Sequence, residues 1–423
     1  MISGKLLFEL GRLVRRLWFR PAVYSIVAVA TVALAVVVPP FLPPEVKPPV
    51  TLEGKAVDTV LTVLASSMLA VVTFSLSALV AALAEATRSA TPRATTLLME
   101  DGAVQNTLST FVGAFLFAVV GILGVSGSIY TEVGRFILFA ATAVVITIVV
   151  VALVNWIERI SRLGRVGETI DRVERATAEA FAAYAIDPGL GGVGPPLDAP
   201  EGPVVLAPRI GYVQHIDVPR IAEAAEAAGA TVHLSVRPGA FVDPSRPIAT
   251  ISGGAGDGTI ADCVRTAVTV GDQRSFSQDP RFGVVVLSEI AVRALSPGVN
   301  DPGTAIDVIG TIVRLMWQWQ DAAAAAEPAP GTQLVSVPLL DPVDILEDAF
   351  RPVGRDGAGV VEVAARLARG LCSLAHAPDP ALAGAARARL DDLLQRMRAA
   401  EAQPADLDSV QRVVARHLPA VPR

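Results

Sequence analysis

Four long stretches of this chain carry no charged side chain: Pro21 to Pro44, Thr59 to Ala84, Gly102 to Thr131 and Phe136 to Ile157. A helix crosses the roughly 30 Å hydrocarbon core with about 20 apolar residues and satisfies its backbone polar groups within the segment. The sequence therefore predicts transmembrane helices at 22–42, 60–84, 107–128 and 136–156. With 423 residues, 52% hydrophobic and 18% charged, the chain is too long for one domain and more apolar than an ordinary soluble globule. A membrane part followed by a soluble part accounts for both properties.

Cytoplasmic flanks of membrane spans carry an excess of Lys and Arg. Lys5, Arg12, Arg15, Arg16 and Arg20 precede the first span, Arg88 and Arg93 lie between the second and third, and Arg159, Arg162 and Arg165 follow the fourth. The opposite loops hold only Lys47, Lys55 and Arg135. Both termini are predicted to be cytoplasmic, in a multi-pass protein of the bacterial inner membrane. The apolar run after the basic leader continues to Leu42, longer than a signal core, which predicts an uncleaved anchor despite Ala33-Leu34-Ala35.

The span interiors contain no Asp, Glu, His, Lys or Arg, which argues against a proton relay or coupled pump. In span two, Ser66, Thr73 and Ser77 fall on one helical face and are the candidate pore-facing residues. The competing reading gives their hydroxyls to their own helix or a neighbour. In span three, Ala114 and Ala118 followed by Gly121, Gly124 and Gly127 predict close helix approach. Trp156 reads as an interfacial anchor.

Beyond the spans the sequence predicts a linking helix and loop over 157–202, a small β-rich, barrel-sandwich-like subdomain over 203–260, and a mostly helical domain over 261–423. The linking helix reads as continuous over 157–186, with Ile160, Leu163, Val166, Ile170 and Val173 on its apolar side. Within the β-rich region, Asp217 and Pro219 start a helix that Gly229 ends, and Arg237-Pro238-Gly239 makes a turn. That turn has no lysine, which excludes a lipoyl or biotinyl carrier. Ser252 to Gly258 is a glycine cluster without the ending of a phosphate loop. Cys263, Cys372, His215 and His233 have no metal-ligand spacing, and no metal or cofactor is predicted. No basic and aromatic pattern points to nucleic acid.

The densest polar motif spans 274–307. It predicts a helix from Pro280 to about Leu295, a Ser-Pro-Gly turn, and a second helix capped by Asp301 with Pro302 in its first turn. Two readings stand for Asp279, Arg281, Glu289, Arg293, Asn300, Asp301 and Thr304: caps, turns and an ion pair between Glu289 and Arg293, or a convergent site for a small ligand or an interdomain contact. Convergence of Asp279, Arg281, Asn300 and Asp301 in a deep pocket would argue for an enzyme, but no nucleophile-base or metal constellation is legible. Further helices are predicted at 342–352, 359–376, 380–401 and 405–417, closing the chain as a bundle.

Thr91-Pro92-Arg93 in the inner loop, Gly211-Tyr212-Val213-Gln214 with Arg237-Pro238-Gly239, and Gln278-Asp279-Pro280-Arg281-Phe282-Gly283 through Ala294-Leu295-Ser296-Pro297-Gly298-Val299-Asn300-Asp301-Pro302 carry a resemblance. On these segments the chain resembles the DUF2254 family of predicted bacterial membrane proteins, over nearly its whole length. The resemblance implies an N-terminal multi-span region and a cytoplasmic C-terminal part, and no catalytic residues. It also marks Pro92 and Arg93 as an inner-loop motif. The expectation is a homo-oligomeric integral membrane protein, a passive channel or transport-associated protein gated by its cytoplasmic domain. Its partners are the lipid bilayer and an unidentified small ligand or ion. The alternative is a membrane-anchored sensor or scaffold whose cytoplasmic domain binds a small ligand or a protein.

Overall fold

A computed structural model of the chain describes residues 18–41, 43, 54–99, 101–127, 129–198, 200–254, 258–327 and 330–418. The basic leader from Lys5 to Arg16, Leu42, Lys47 and residues 255–257 of the glycine cluster lie outside the described residues, as do positions 328–329 of the Ala/Pro-rich insert. The described chain divides into two units, 18–88 with 95–168 and 89–94 with 169–418.

In the span-bearing unit, four helices among the described residues are long and apolar enough to cross a bilayer. They belong to α1 (Phe19–Val37), α2 (Gly54–Ser89), α4 (Gly102–Ser126) and α5 (Glu132–Ile160). A short helix, α3 (Pro92–Met99), separates α2 from α4. Asp101 caps α4 by accepting from the Ala103 N–H at 2.8 Å, and Thr131 caps α5 by accepting from the Gly134 N–H at 3.1 Å. Polar bonds gather the start of α1, the start of α4 and the end of α5 at one end of the unit. Arg20 donates to the Gly102 carbonyl at 2.9 Å and to Asn106 Oδ1 at 2.6 Å, while Arg159 pairs with Asp101 at 2.9 Å.

The small residues of α4 do allow close approach. Ala114, Ala118, Gly121 and Gly124 are buried, and a Cβ on Gly121 would lie 3.0 Å from Leu61 of α2. Trp156 corrects its expected interfacial place: it is only 1% exposed and packs in the core of this unit. Large apolar side chains such as Ile26, Phe74, Val80, Val151 and Val154 face outward instead. An outward apolar surface is stable where lipid, and not water, surrounds it.

The linking helix is not continuous. After α5 ends at Ile160 the chain turns, and α6 (Val166–Ile186) begins anew. The reason lies at Gly164, whose φ of +86° is left-handed backbone that interrupts a right-handed helix.

The sheet-bearing unit draws strands from a wider range than 203–260. Its strands are β1 (Gly192–Val193), β2 (Val204–Leu206), β3 (Gly211–Ile216), β4 (Ala230–Leu234), β5 (Phe241–Val242), β6 (Pro247–Gly253), β7 (Val268–Gly271) and β8 (Thr332–Ser336). They do not close into a barrel-sandwich. One sheet has the order β1-β8-β4-β6-β2 and mixes parallel with antiparallel pairs, and the other has the antiparallel order β5-β3-β7. Two helices explain the split. One is α7 (Val218–Ala228), capped by Asp217 and ended by Gly229 at φ +62°, between β3 and β4; the other is α8 (Thr259–Ala267), before β7. Alternate residues of β3 and β4, Val213, Val232 and Leu234, join Ile221, Ile248 and Val335 in one apolar core.

The rest of this unit is helical: α9 (Pro280–Ala294), α10 (Pro302–Ala325), α11 (Pro342–Gly357), α12 (Val361–Leu374), α13 (Pro380–Ala399) and α14 (Pro404–His417). Asp279, Asp301, Asp341 and Asp379 each cap a helix with a proline in its first turn. Helix α9 packs on α10 and α11, α10 on α12, α11 on α13, and α12 on α13 and α14. The pair α9 and α11 forms the site described next.

Candidate functional site

On α9 the residues Arg281, Val285, Ser288, Glu289, Val292 and Arg293 recur at helical spacing and share one face. On α11 the same holds for Glu347, Asp348, Arg351, Pro352 and Arg355. These two faces, the turn at Ser296, Gly298 and Val299, and the segment Ala90, Thr91 and Arg93 line a groove of about 1120 Å³. All of the lining belongs to the sheet-bearing unit, because residues 89–94 pack there although they stand in sequence between two spans.

The inner-loop motif reaches the groove through local geometry. Thr91 precedes α3, its hydroxyl oxygen accepts from the Arg93 N–H at 3.4 Å, and Pro92 starts the helix. The Thr91 hydroxyl donates to Glu289 Oε2 at 3.1 Å, and the Arg93 guanidinium pairs with Glu289 Oε1. Glu289 thus takes partners far away in sequence, Thr91 and Arg93. Arg293 lines the same groove.

Arg281 joins α9 to α11 through Asp344, at 2.7 Å, and Asp348. Burial works against its charge, but the carboxylates of Asp348 and Asp344 outweigh burial and hold its pKa above the ordinary value. Arg351 pairs with Glu347 one turn back on α11, and Arg355 with the adjacent Asp356 at 2.6 Å. Ser288 is 2% exposed, and its buried hydroxyl has no hydrogen-bond partner in the structure.

The other polar residues of 274–307 stand elsewhere. Asp279 is buried, accepts from Arg274 Nε at 2.8 Å and Nη2 at 2.9 Å, and caps α9 through the Phe282 N–H at 3.2 Å. Burial pushes its pKa up against the pull of Arg274. A Cβ at Gly239, where φ is +93°, would collide with this carboxylate, so the Arg237-Pro238-Gly239 turn requires glycine at its end. Asn300 adopts φ +51°, and Asp301 accepts from the Thr304 N–H at 3.1 Å and from its hydroxyl at 2.6 Å. The Thr304 bonds hold the Asp301 carboxyl below the usual carboxylate range. Of Asp279, Arg281, Asn300 and Asp301, only Arg281 lines the groove.

In α2, Ser66, Thr73 and Ser77 are all exposed. Each hydroxyl donates to the carbonyl four residues back, at 2.9 Å in all three cases. Sequence reasoning missed Ser288, Arg351 and Arg355. The spacing of Glu347, Arg351 and Arg355 was visible as a charged helix face, but nothing local announces that α9 packs against that face.

The family described as predicted membrane protein (DUF2254) matches residues 14–373. An uncharacterised protein of Mycobacterium bovis and one of Mycobacterium tuberculosis are each 40% identical over 121 residues, 27% of this chain and 22% of theirs. The chain therefore matches about a fifth of the length of these curated relatives. No solved structure matches.

Proposed function

Given that this chain belongs to the DUF2254 family of predicted membrane proteins, we propose that it is a ligand-responsive membrane protein, whose sheet-bearing unit senses a small ligand and acts on the spans. It sits in the bacterial cytoplasmic membrane with both termini and the sheet-bearing unit in the cytoplasm, as the distribution of Lys and Arg favours. The observation that carries the reading is the bonding of Thr91 and Arg93 to Glu289. Residues 89–94 continue into α2 on one side and, through α3, into α4 on the other. Whatever enters the groove and competes for Arg93 or Glu289 changes the restraint on a segment tied at both ends to membrane spans. Such competition is the differential interaction that a ligand needs in order to shift a conformational equilibrium.

Charge reversal tests the coupling. In the full chain in nanodiscs, Arg93→Glu is expected to raise amide hydrogen exchange across 90–99, and Arg93→Glu with Glu289→Arg to restore it. Wild-type exchange in the single variant removes the reading.

A second reading, a homo-oligomeric passive channel gated by the same unit, is favoured by the exposed hydroxyl face of α2. It requires copies of the chain to surround a wet path lined by Ser66, Thr73 and Ser77.

A further inference from the structure

We propose that the groove between α9 and α11 binds an oxyanion of the phosphate class, held by Arg293, Arg351, Arg355 and the Ser288 hydroxyl. This deepens the ligand-sensing reading and rests on it.

The lining presents five guanidinium groups and three carboxylates. Asp344 and Asp356, just outside it, bring the whole cluster to balance, so an anion has to win guanidinium groups from their present partners. Position decides which sign of charge an incoming ligand meets. The side chains of Arg93, Arg351 and Arg355 are 57%, 59% and 60% exposed, whereas those of Glu289, Asp348 and Asp356 are 31%, 24% and 29% exposed. Arg93, Arg351 and Arg355 are the more exposed members of their own pairs, whereas Asp344, at 52%, stands outside Arg281, at 33%, and Glu347 is 40% exposed. An incoming ligand therefore meets guanidinium groups first at Arg93, Arg351 and Arg355 and a carboxylate first at Asp344. Among the pairs that must yield, Arg351 with Glu347 on the same helix and Arg355 with its own neighbour are surface pairs of a kind that adds little to stability. Arg281 keeps two carboxylates and stays in place as the tie between the helices.

A phosphate group accepts paired N–H bonds from guanidinium groups, a geometry that matches arginine and not lysine. The groove is lined by arginine alone among cations. Ser288 supplies the independent sign of a ligand. A buried hydroxyl without a partner is costly and uncommon. Ser288 is among the residues lining the groove with its hydroxyl closed off from it, and a rotation of the side chain that opened the hydroxyl to the groove would let an oxyanion accept its proton.

The test uses the full chain in nanodiscs of zwitterionic lipid, titrated with inorganic pyrophosphate and followed by calorimetry and by the thermal unfolding midpoint. Saturable binding is expected, weakened about tenfold for each of Arg351→Gln and Arg355→Gln and severalfold for Ser288→Ala. Arg314→Gln, which breaks the pair with Glu174 away from the groove, is expected to leave binding unchanged. Arg351→Lys and Arg355→Lys, which keep the charge and lose the planar fork, are expected to fall between. A parallel arm replaces part of the lipid with phosphatidic acid. If pyrophosphate fails to bind but phosphatidic acid raises the midpoint in the wild type and not in the Arg351→Gln and Arg355→Gln double variant, the anion site stands and a lipid headgroup is its source. Absence of both effects, or equal effects in wild type and double variant, overturns the proposal. Binding that leaves exchange across 90–99 unchanged keeps the anion site and removes the coupling. Coupling through Arg93 and Glu289 without anion binding does the reverse.

Discussion

His215 on β3 and His233 on β4 both hold their protons more weakly than the ordinary histidine value of 6.5. Burial is the cause in each, and at His215 it prevails over the opposing pull of Asp217 and Gln278. The unfolded chain binds these protons more tightly than the folded chain, so acidification favours unfolding. The stability involved is present above 6.5 and is lost as the pH falls toward and through the lowered folded values. A melting midpoint that drops on acidification below about 6.5 is expected, with a shallower drop in His215→Gln and His233→Gln. An unaltered slope in the double variant would place the acid sensitivity elsewhere. At this scale the sequence was legible where a residue's job is local. Asp217, Asp279 and Asp301 cap helices, as their spacing to proline predicts. It was not legible where the partner is remote. Nothing near Glu289 announces Thr91 or Arg93, and a serine within a helix gives no sign that its hydroxyl will be buried without a partner.

Helix α9 carries a second kind of demand. Gly283 faces Thr177 of α6 so closely that a Cβ there would overlap the threonine side chain, and Thr177 is itself fully buried. At Gly384 of α13, by contrast, an added methyl group would meet nothing within 4 Å. The same substitution should therefore act with opposite sign in the two helices. Gly283→Ala is expected to destabilise by about 1–3 kcal/mol through overpacking, and Gly384→Ala to stabilise by up to about 1 kcal/mol through helix propensity. Thermal or denaturant unfolding of each variant decides, and equal effects would mean that α6 does not pack against α9 as described. Helix starts and stops were readable from Pro, Gly and Asp because these residues act on their own backbone. Helices α3 and α8 escaped notice because they are short, eight and nine residues, and α8 runs straight into β7. The break at Gly164 was hidden by apolar spacing that continues across it, and the parallel pairing of β4 with β8 is a contact about a hundred residues apart that no local pattern encodes.

For the molecule as a whole, the four spans were the most legible feature, since bilayer thickness imposes a length that composition alone reveals. What the spans do depends on how several copies meet, and there the hydroxyl face of α2 separates the two functional readings. Ser66, Thr73 and Ser77 already satisfy their hydroxyl protons on their own helix. A face of this kind tolerates lipid at little cost, and it tolerates water equally well. If the spans only anchor and relay, Ser77→Leu changes an exposed position facing lipid and is expected to shift stability by no more than about 0.5 kcal/mol. Liposomes carrying the wild type should then be no leakier to ions than empty ones. If copies assemble around α2, the same leucine narrows and dries a path. Ion flux present in the wild type should then fall in Ser77→Leu while the melting midpoint and the oligomeric state stay fixed. Stability alone cannot separate the readings, because both predict a folded variant. Flux separates them: a wild-type flux that Ser77→Leu lowers decides for permeation, and its absence removes the permeation reading and leaves the ligand-responsive proposal to stand or fall on the exchange and anion-binding experiments.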